Sequence, residues 1–222
     1  MNINEFINII DDEIMSFAEL KEDQVFSKIE KKELLNYIKK PINIGKEEAL
    51  IYKDKSIEDL CYEFGIKINF INKSQDKDLI AIRADYCNYD KNINIYTDSI
   101  YKMVSSFKSL NFNNINSDDI INIHLAHEFF HFLEYNKIGL VNEKLPKVIN
   151  INFLGIKKYS TVLKTREIGA HIFCKNMMNL KFHPKCIDYI YLISSKQLKI
   201  EEILKYFNDL KYEYEYYKRE DV

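Results

Sequence analysis

Apolar residues recur at helical spacing among many charges from Ile3 to Lys40. This predicts two helices. They should end at Lys40-Pro41, because proline disfavours helix in the residue before it. Ser56 is placed to cap a short helix carrying Ile57, Leu60, Cys61 and Phe64, which Gly65 stops. The period then changes. Ile66-Lys-Ile-Asn-Phe-Ile71 alternates as a strand does, and Leu79 to Ala84 and Asn92 to Tyr96 read as two more strands, with Asn88 to Lys91 as the turn between them. Helical spacing returns behind Asp98, over Ile100, Met103, Val104 and Phe107, and Asn111 to Asn116 is a polar loop. Ser117-Asp118-Asp119 opens a central helix expected to reach about Asn136 and end near Gly139. Its acidic first turn suits the positive end of the helix dipole. A loop with Pro146 and Gly155 follows, then a helix from about Thr161 to Leu180 capped by Ser160. Beyond Pro184 two further helices are expected, the last being the Tyr- and charge-rich stretch from Glu201 to Asp221.

Helices, then a small three-stranded sheet, then helices again predict an α+β fold and not repeated βαβ units. The expected division is an N-terminal helical segment over 1–50, a core domain over 51–182 and a C-terminal helical extension over 183–222. The 222 residues are 46% hydrophobic and 30% charged, values that fit a globular protein and not a disordered one. A net charge of -2 gives no overall electrostatic case for binding nucleic acid or an anionic membrane. Cys61, Cys87, Cys174 and Cys186 form no C-x-x-C pair and read as reduced, mostly buried thiols. The first residues lack the basic and apolar regions of a signal peptide, and no apolar run approaches the roughly 20 residues that span a bilayer. A cytoplasmic protein without membrane or direct nucleic-acid partners is therefore expected.

The chemistry concentrates at His127-Glu128-Phe-Phe-His131. Two histidines four positions apart on a helix lie about 40° apart on one face, so both imidazoles can converge on one ion. Neutral imidazole is a good zinc ligand. Glu128 projects from the flank of that face, where it can take a proton from a water at the ion without being a ligand. With five histidines in the chain, such a motif arises by chance in roughly 1 in 100 sequences. Here it lies deep in an apolar helix, where polar groups need partners.

A catalytic zinc usually takes three protein ligands and leaves a position for water. The best third candidate is Glu167, in Arg166-Glu167-Ile-Gly-Ala-His171, on a helix that can cross the first. His171 lies on the same face and could orient Glu167 or a ligand histidine. His124 is a further ligand, an orienting group or a rim residue, and Glu134 fits a hydrogen-bonding or surface role better than ligation. Cys174, two turns beyond Glu167, reads as a buried thiol beside the site. Tyr159 is one of sixteen tyrosines that could stabilise an oxyanion.

These residues resemble the ImmA/IrrE metallopeptidases over roughly Ser56 to Leu180. The similar stretches are Ser56 to Ile68, Ile93-Asn-Ile-Tyr96, Leu125-Ala-His-Glu-Phe-Phe-His-Phe-Leu133, and Glu167-Ile-Gly-Ala-His-Ile-Phe-Cys174 beside the family's Glu-x-x-Ala-Asn-x-Phe-Ala. The resemblance implies a zincin-like core, one zinc ion held by His127, His131 and Glu167, and Glu128 in the catalytic position. His171 stands where the family usually has Asn or Asp. Phe130 replaces the familiar Gly of His-Glu-x-Gly-His, a change expected to alter access beside the zinc. The implied activity is regulatory proteolysis of an intracellular protein, with helix-turn-helix transcriptional repressors as the associated substrates. Alternatives from other classes are a non-catalytic zinc-binding interaction module, docking through the terminal helices, and a proteolytic toxin.

Overall fold

Most helices form where the apolar spacing places them, and the exceptions have identifiable causes. The computed structural model describes residues 7, 10–72, 82–108, 110 and 115–220. Among these are eight α-helices, a three-stranded mixed sheet and a separate two-stranded hairpin, so the architecture is α+β. Helix α1 (Asp12–Lys21) starts at Asp11, whose carboxylate accepts the Ile14 N–H at 2.8 Å. Helix α2 (Leu34–Tyr52) corrects the expected end at Lys40-Pro41, because Pro41 lies inside it. Leu34, Leu35, Tyr37, Ile38, Pro41, Ile42, Gly45 and Ala49 are all buried and keep one helical phase through the proline. An internal proline costs about 3 kcal/mol. Burying several large side chains at roughly 1.5–3 kcal/mol each outweighs it.

Helix α3 (Ile57–Glu63) matches its expectation: Ser56 Oγ accepts the Asp59 N–H at 3.1 Å, and Gly65 ends it at φ +66°. Strands β1 (Lys67–Ile71), β2 (Ala84–Cys87) and β3 (Asn92–Tyr96) form the sheet in the order β1-β3-β2. β1 runs parallel to β3, and β2 runs antiparallel to it. The second strand is displaced from the expected 79–84. Residues 79–81 lie outside the described residues, and pairing begins at Ala84 and continues to the turn. Asp85 holds that register, accepting the Tyr96 hydroxyl at 2.7 Å and Asn94 Nδ2 at 3.0 Å.

Helix α4 (Thr97–Lys108) precedes the loop of which residues 111–114 are outside the described set. Helix α5 (Ser117–Leu133) opens with a reciprocal cap: Asn116 Oδ1 accepts the Asp119 N–H, and Asp119 Oδ2 accepts the Asn116 N–H, both at 2.9 Å. It continues as one π turn over Glu134–Ile138 and stops at Gly139, φ +75°.

The segment around Pro146 and Gly155, expected to be a loop, contains a hairpin of β4 (Val148–Phe153) and β5 (Ile156–Ser160). Its apolar alternation faces outward and not into the core, so burial gave no signal for it. Ser160 therefore ends a strand and does not cap the next helix. Helix α6 (Lys164–Met177) starts later, and the carboxylate of Asp23 accepts its Lys164 N–H at 2.8 Å. That cap comes from 141 residues away, which no local pattern reveals. Helices α7 (Cys186–Ser194) and α8 (Ile200–Glu220) complete the chain as expected.

The hydrophobic core draws on all eight of these α-helices, with Ile93 and Ile95 of β3. Two α-helices approach backbone to backbone: a Cβ at Gly45 of α2 would lie 2.5 Å from the Gly169 carbonyl oxygen of α6. Charges tie α1 to the same region. The nearly buried Glu19 and the half-exposed Glu22 meet both Lys164 and Lys185, with Lys164 Nζ 2.6 Å from Glu19 and 3.0 Å from Glu22. Cys61, Cys174 and Cys186 are buried free thiols and Cys87 is half-buried, in line with the sequence reading. No helix among the described residues is long and apolar enough to cross a membrane.

Candidate metal centre

Helix α5 buries Ile120, Ile123, Leu125, Ala126, Phe129, Phe130, Phe132 and Leu133, leaving no wholly polar face. Phe130 sets how it meets α6. Its ring packs where a Cβ at Gly169 would lie, 2.9 Å from Phe130 Cζ, and its centroid is 5.5 Å from that of Phe173. Phe130 is fully buried, so the substitution expected to change access beside the metal instead fills the α5–α6 interface. Glycine at 169 makes room for it. Two residues earlier on α6, Glu167 reaches the histidine pair.

The three groups form a tight triangle. His127 Nε2 lies 3.3 Å from His131 Nε2 and 3.2 Å from Glu167 Oε2, and His131 Nε2 lies 3.5 Å from Glu167 Oε1. Ligand–metal distances of about 2.0–2.2 Å in a tetrahedral site require donor separations of roughly 3.3–3.6 Å. The His127–His131 edge fits, each histidine meets a different oxygen of the Glu167 carboxylate, and His127, His131 and Glu167 could hold a metal ion.

Glu134 supports this triangle from behind. His131 Nδ1–H donates to its Oε2 at 2.7 Å, which leaves the Nε2 lone pair for the site. The same carboxylate accepts the Val141 N–H at 2.9 Å and Arg166 Nε at 3.0 and 3.2 Å, and its side chain is wholly buried. The hydrogen-bonding role expected for Glu134 is thus the one it has. The π turn that begins at Glu134 folds the chain back so that Val141 reaches the carboxylate.

The charges in the site act on one another. Burial pushes His127 down, but the hydrogen bond and charge of Glu167, with Glu128 behind it, raise it to about 9. Burial pushes Glu167 up, but His127, His131 and His171 hold it well below the usual carboxylate range. Glu128 stands outside the donor triangle. Burial raises its pKa, opposed by His127 and His131 and assisted by Glu167 and Asp85. A carboxylate held closer to neutrality is a better proton carrier.

These groups open onto a cleft of about 320 Å³, lined also by Ala84, Asp85, Tyr86, Tyr135 and Arg166. Sequence patterns did not single out the tyrosines or Asp85, because β2 and the π turn bring them in from separate segments. Arg166 was visible only as the neighbour of Glu167. The remaining candidates stand outside the group that could hold a metal ion. Tyr159 is about half exposed on β5 and lines a different pocket, with Tyr37 and Pro146. The His171 ring is centred 4.8 Å from that of His127, and its Nδ1 has no hydrogen-bond partner. It lies beside the triangle without joining it. Burial, with Arg83 and His127 nearby, drives His124 down to about 3. Cys174 is fully buried and donates its thiol to the Ile123 carbonyl oxygen at 3.3 Å.

No family model matches the chain, and no curated protein or solved structure matches it.

Proposed function

We propose that the chain is a zinc-dependent endopeptidase that hydrolyses peptide bonds of an intracellular protein. The observation that carries this reading is the donor triangle with Glu128 beside it but outside it. Two imidazoles and one carboxylate are a donor set that zinc favours when it leaves a position for water. When bound, zinc supplies Lewis acidity that makes water nucleophilic near neutral pH and polarises the scissile carbonyl. Glu128 accepts the proton of the attacking water and delivers it to the departing amine. His131 is held in one tautomer by Glu134. Arg166, Tyr86 and Tyr135 line the cleft and bring N–H and O–H donors, the kind of group that stabilises an oxyanion.

The similarity of the Leu125–Leu133 and Glu167–Cys174 stretches to ImmA/IrrE metallopeptidases supports the same assignment and a zincin-like core. It also makes helix-turn-helix transcriptional repressors the first substrates to try. The test is Glu128→Gln. The zinc-loaded variant should keep its metal and its fold, while peptide fragments from an unfolded substrate protein such as casein, or from a candidate repressor, fall at least about 100-fold. Undiminished cleavage by the variant would overturn the role of Glu128, and metal loss would place it in the ligand set.

A further inference from the structure

The β4–β5 hairpin breaks two local rules at its tip. Leu154 and Gly155 form the turn with φ +49° and +83°, both in the left-handed region. Such two-residue turns favour Asn-Gly or Asp-Gly, and leucine there carries a conformational cost. Leu154 is nonetheless 86% exposed, with Phe153 67%, Ile156 74% and Ile151 51% exposed beside it. The register explains the grouping. Phe153 pairs with Ile156 and Ile151 pairs with Lys158, so these side chains share one face, with Leu154 at the apex. Neither the turn nor the core requires large apolar groups here.

Along the chain, the charge next to the tip has one sign. Lys157 and Lys158 follow it directly, and the nearest acidic residues along the chain are Glu143 and Glu167. Carboxylates face the hairpin at its base, where Glu30 and Glu33 line a pocket with Lys28, Lys147, Ile149 and Tyr159. Outward from the base, the order is tyrosine, then lysines, then Ile156, Leu154 and Phe153. A bilayer interface sorts side chains in that order, with lysine and tyrosine at the headgroups and aliphatic groups below them.

We propose that the β4–β5 tip is a peripheral docking element for anionic membranes, placing Phe153, Leu154 and Ile156 below the phosphates and Lys157 and Lys158 against them. The overall charge of -2 masks this local excess.

The test is co-sedimentation of the full chain with phosphatidylcholine vesicles, with and without phosphatidylglycerol. Binding should require the anionic lipid and weaken with salt. Leu154→Asn is the informative variant, since asparagine suits the turn and should leave the thermal midpoint unchanged or higher. It should weaken vesicle binding at least about tenfold, the effect of withdrawing one large apolar side chain. Lys157→Gln and Lys158→Gln should each weaken it about fivefold. Equal binding to uncharged vesicles, or binding unchanged in Leu154→Asn, would overturn the proposal. So would an unbound wild type in which the same variant changes protein capture, cleavage or oligomeric state, because the tip would then serve a protein partner.

Discussion

Replacing Glu134 by Gln should destabilise the metal-free protein by about 2–4 kcal/mol. The carboxylate has no exposed surface and accepts from three donors, His131 Nδ1, Arg166 Nε and Val141 N. An amide keeps one acceptor oxygen and turns an NH2 toward the other donors. At least one N–H then loses its partner, at about 1–3 kcal/mol. The Arg166 charge also loses its counter-ion. Breaking a buried pair on one side costs about 3–5 kcal/mol, and Arg166, with 19% of its side chain exposed, recovers part of that from water. Urea unfolding in chelator at pH 7 measures the loss. Because the His131 tautomer is no longer fixed, zinc affinity measured by competition should fall about 10–100-fold. A stability change under about 0.5 kcal/mol together with unchanged zinc affinity would refute the reasoning.

Two further outcomes follow from packing and burial. Gly45→Ala gains up to about 1 kcal/mol of helix propensity, yet it should destabilise the fold by about 1–3 kcal/mol, because its Cβ would meet the Gly169 carbonyl oxygen at 2.5 Å; a stabilised variant by urea unfolding would show that α2 and α6 are not in backbone contact. Burial, reinforced by Lys175 and Lys185, holds His183 down to about 3, so the folded chain leaves it neutral while the unfolded chain protonates it below about pH 6.5. Its contribution is present above that pH and is lost as pH falls toward 3. His183→Gln should therefore flatten the stability–pH slope between pH 4.5 and 6 by about 1.4 kcal/mol per pH unit, and an unchanged slope would mean that His183 takes up its proton without unfolding.

Elements that bury a repeating face were legible. The apolar run of α5, the Ser56 cap and the alternation of β3 all carry their cause within a few residues. The departures come from forces acting over long sequence distances. Pro41 sits in a helix because α2 lies against α6, and Lys164 starts a helix because Asp23 caps it. The hairpin escaped because its alternating Ile149, Ile151 and Phe153 point away from the core, and its turn has Leu-Gly in place of Asn-Gly. At the site, the closeness of His127 and His131 was readable because spacing on one helix is local, whereas Glu167, which joins them in a group that could hold a metal ion, comes from a second helix. The pairing of Glu134 with Arg166 was not readable, since it needs the 32-residue return of the chain. Phe130 shows the same limit: its identity was visible, but the Gly169 that receives it could be matched to it only in three dimensions.

The most direct test of the metal centre is zinc content by mass spectrometry on purified wild type and Glu167→Ala, each shown to be folded. About one zinc per wild-type chain is expected, with loss of that zinc in Glu167→Ala. A wild type that takes up no zinc when it is supplied, or a Glu167→Ala variant that keeps a full equivalent, would contradict that expectation.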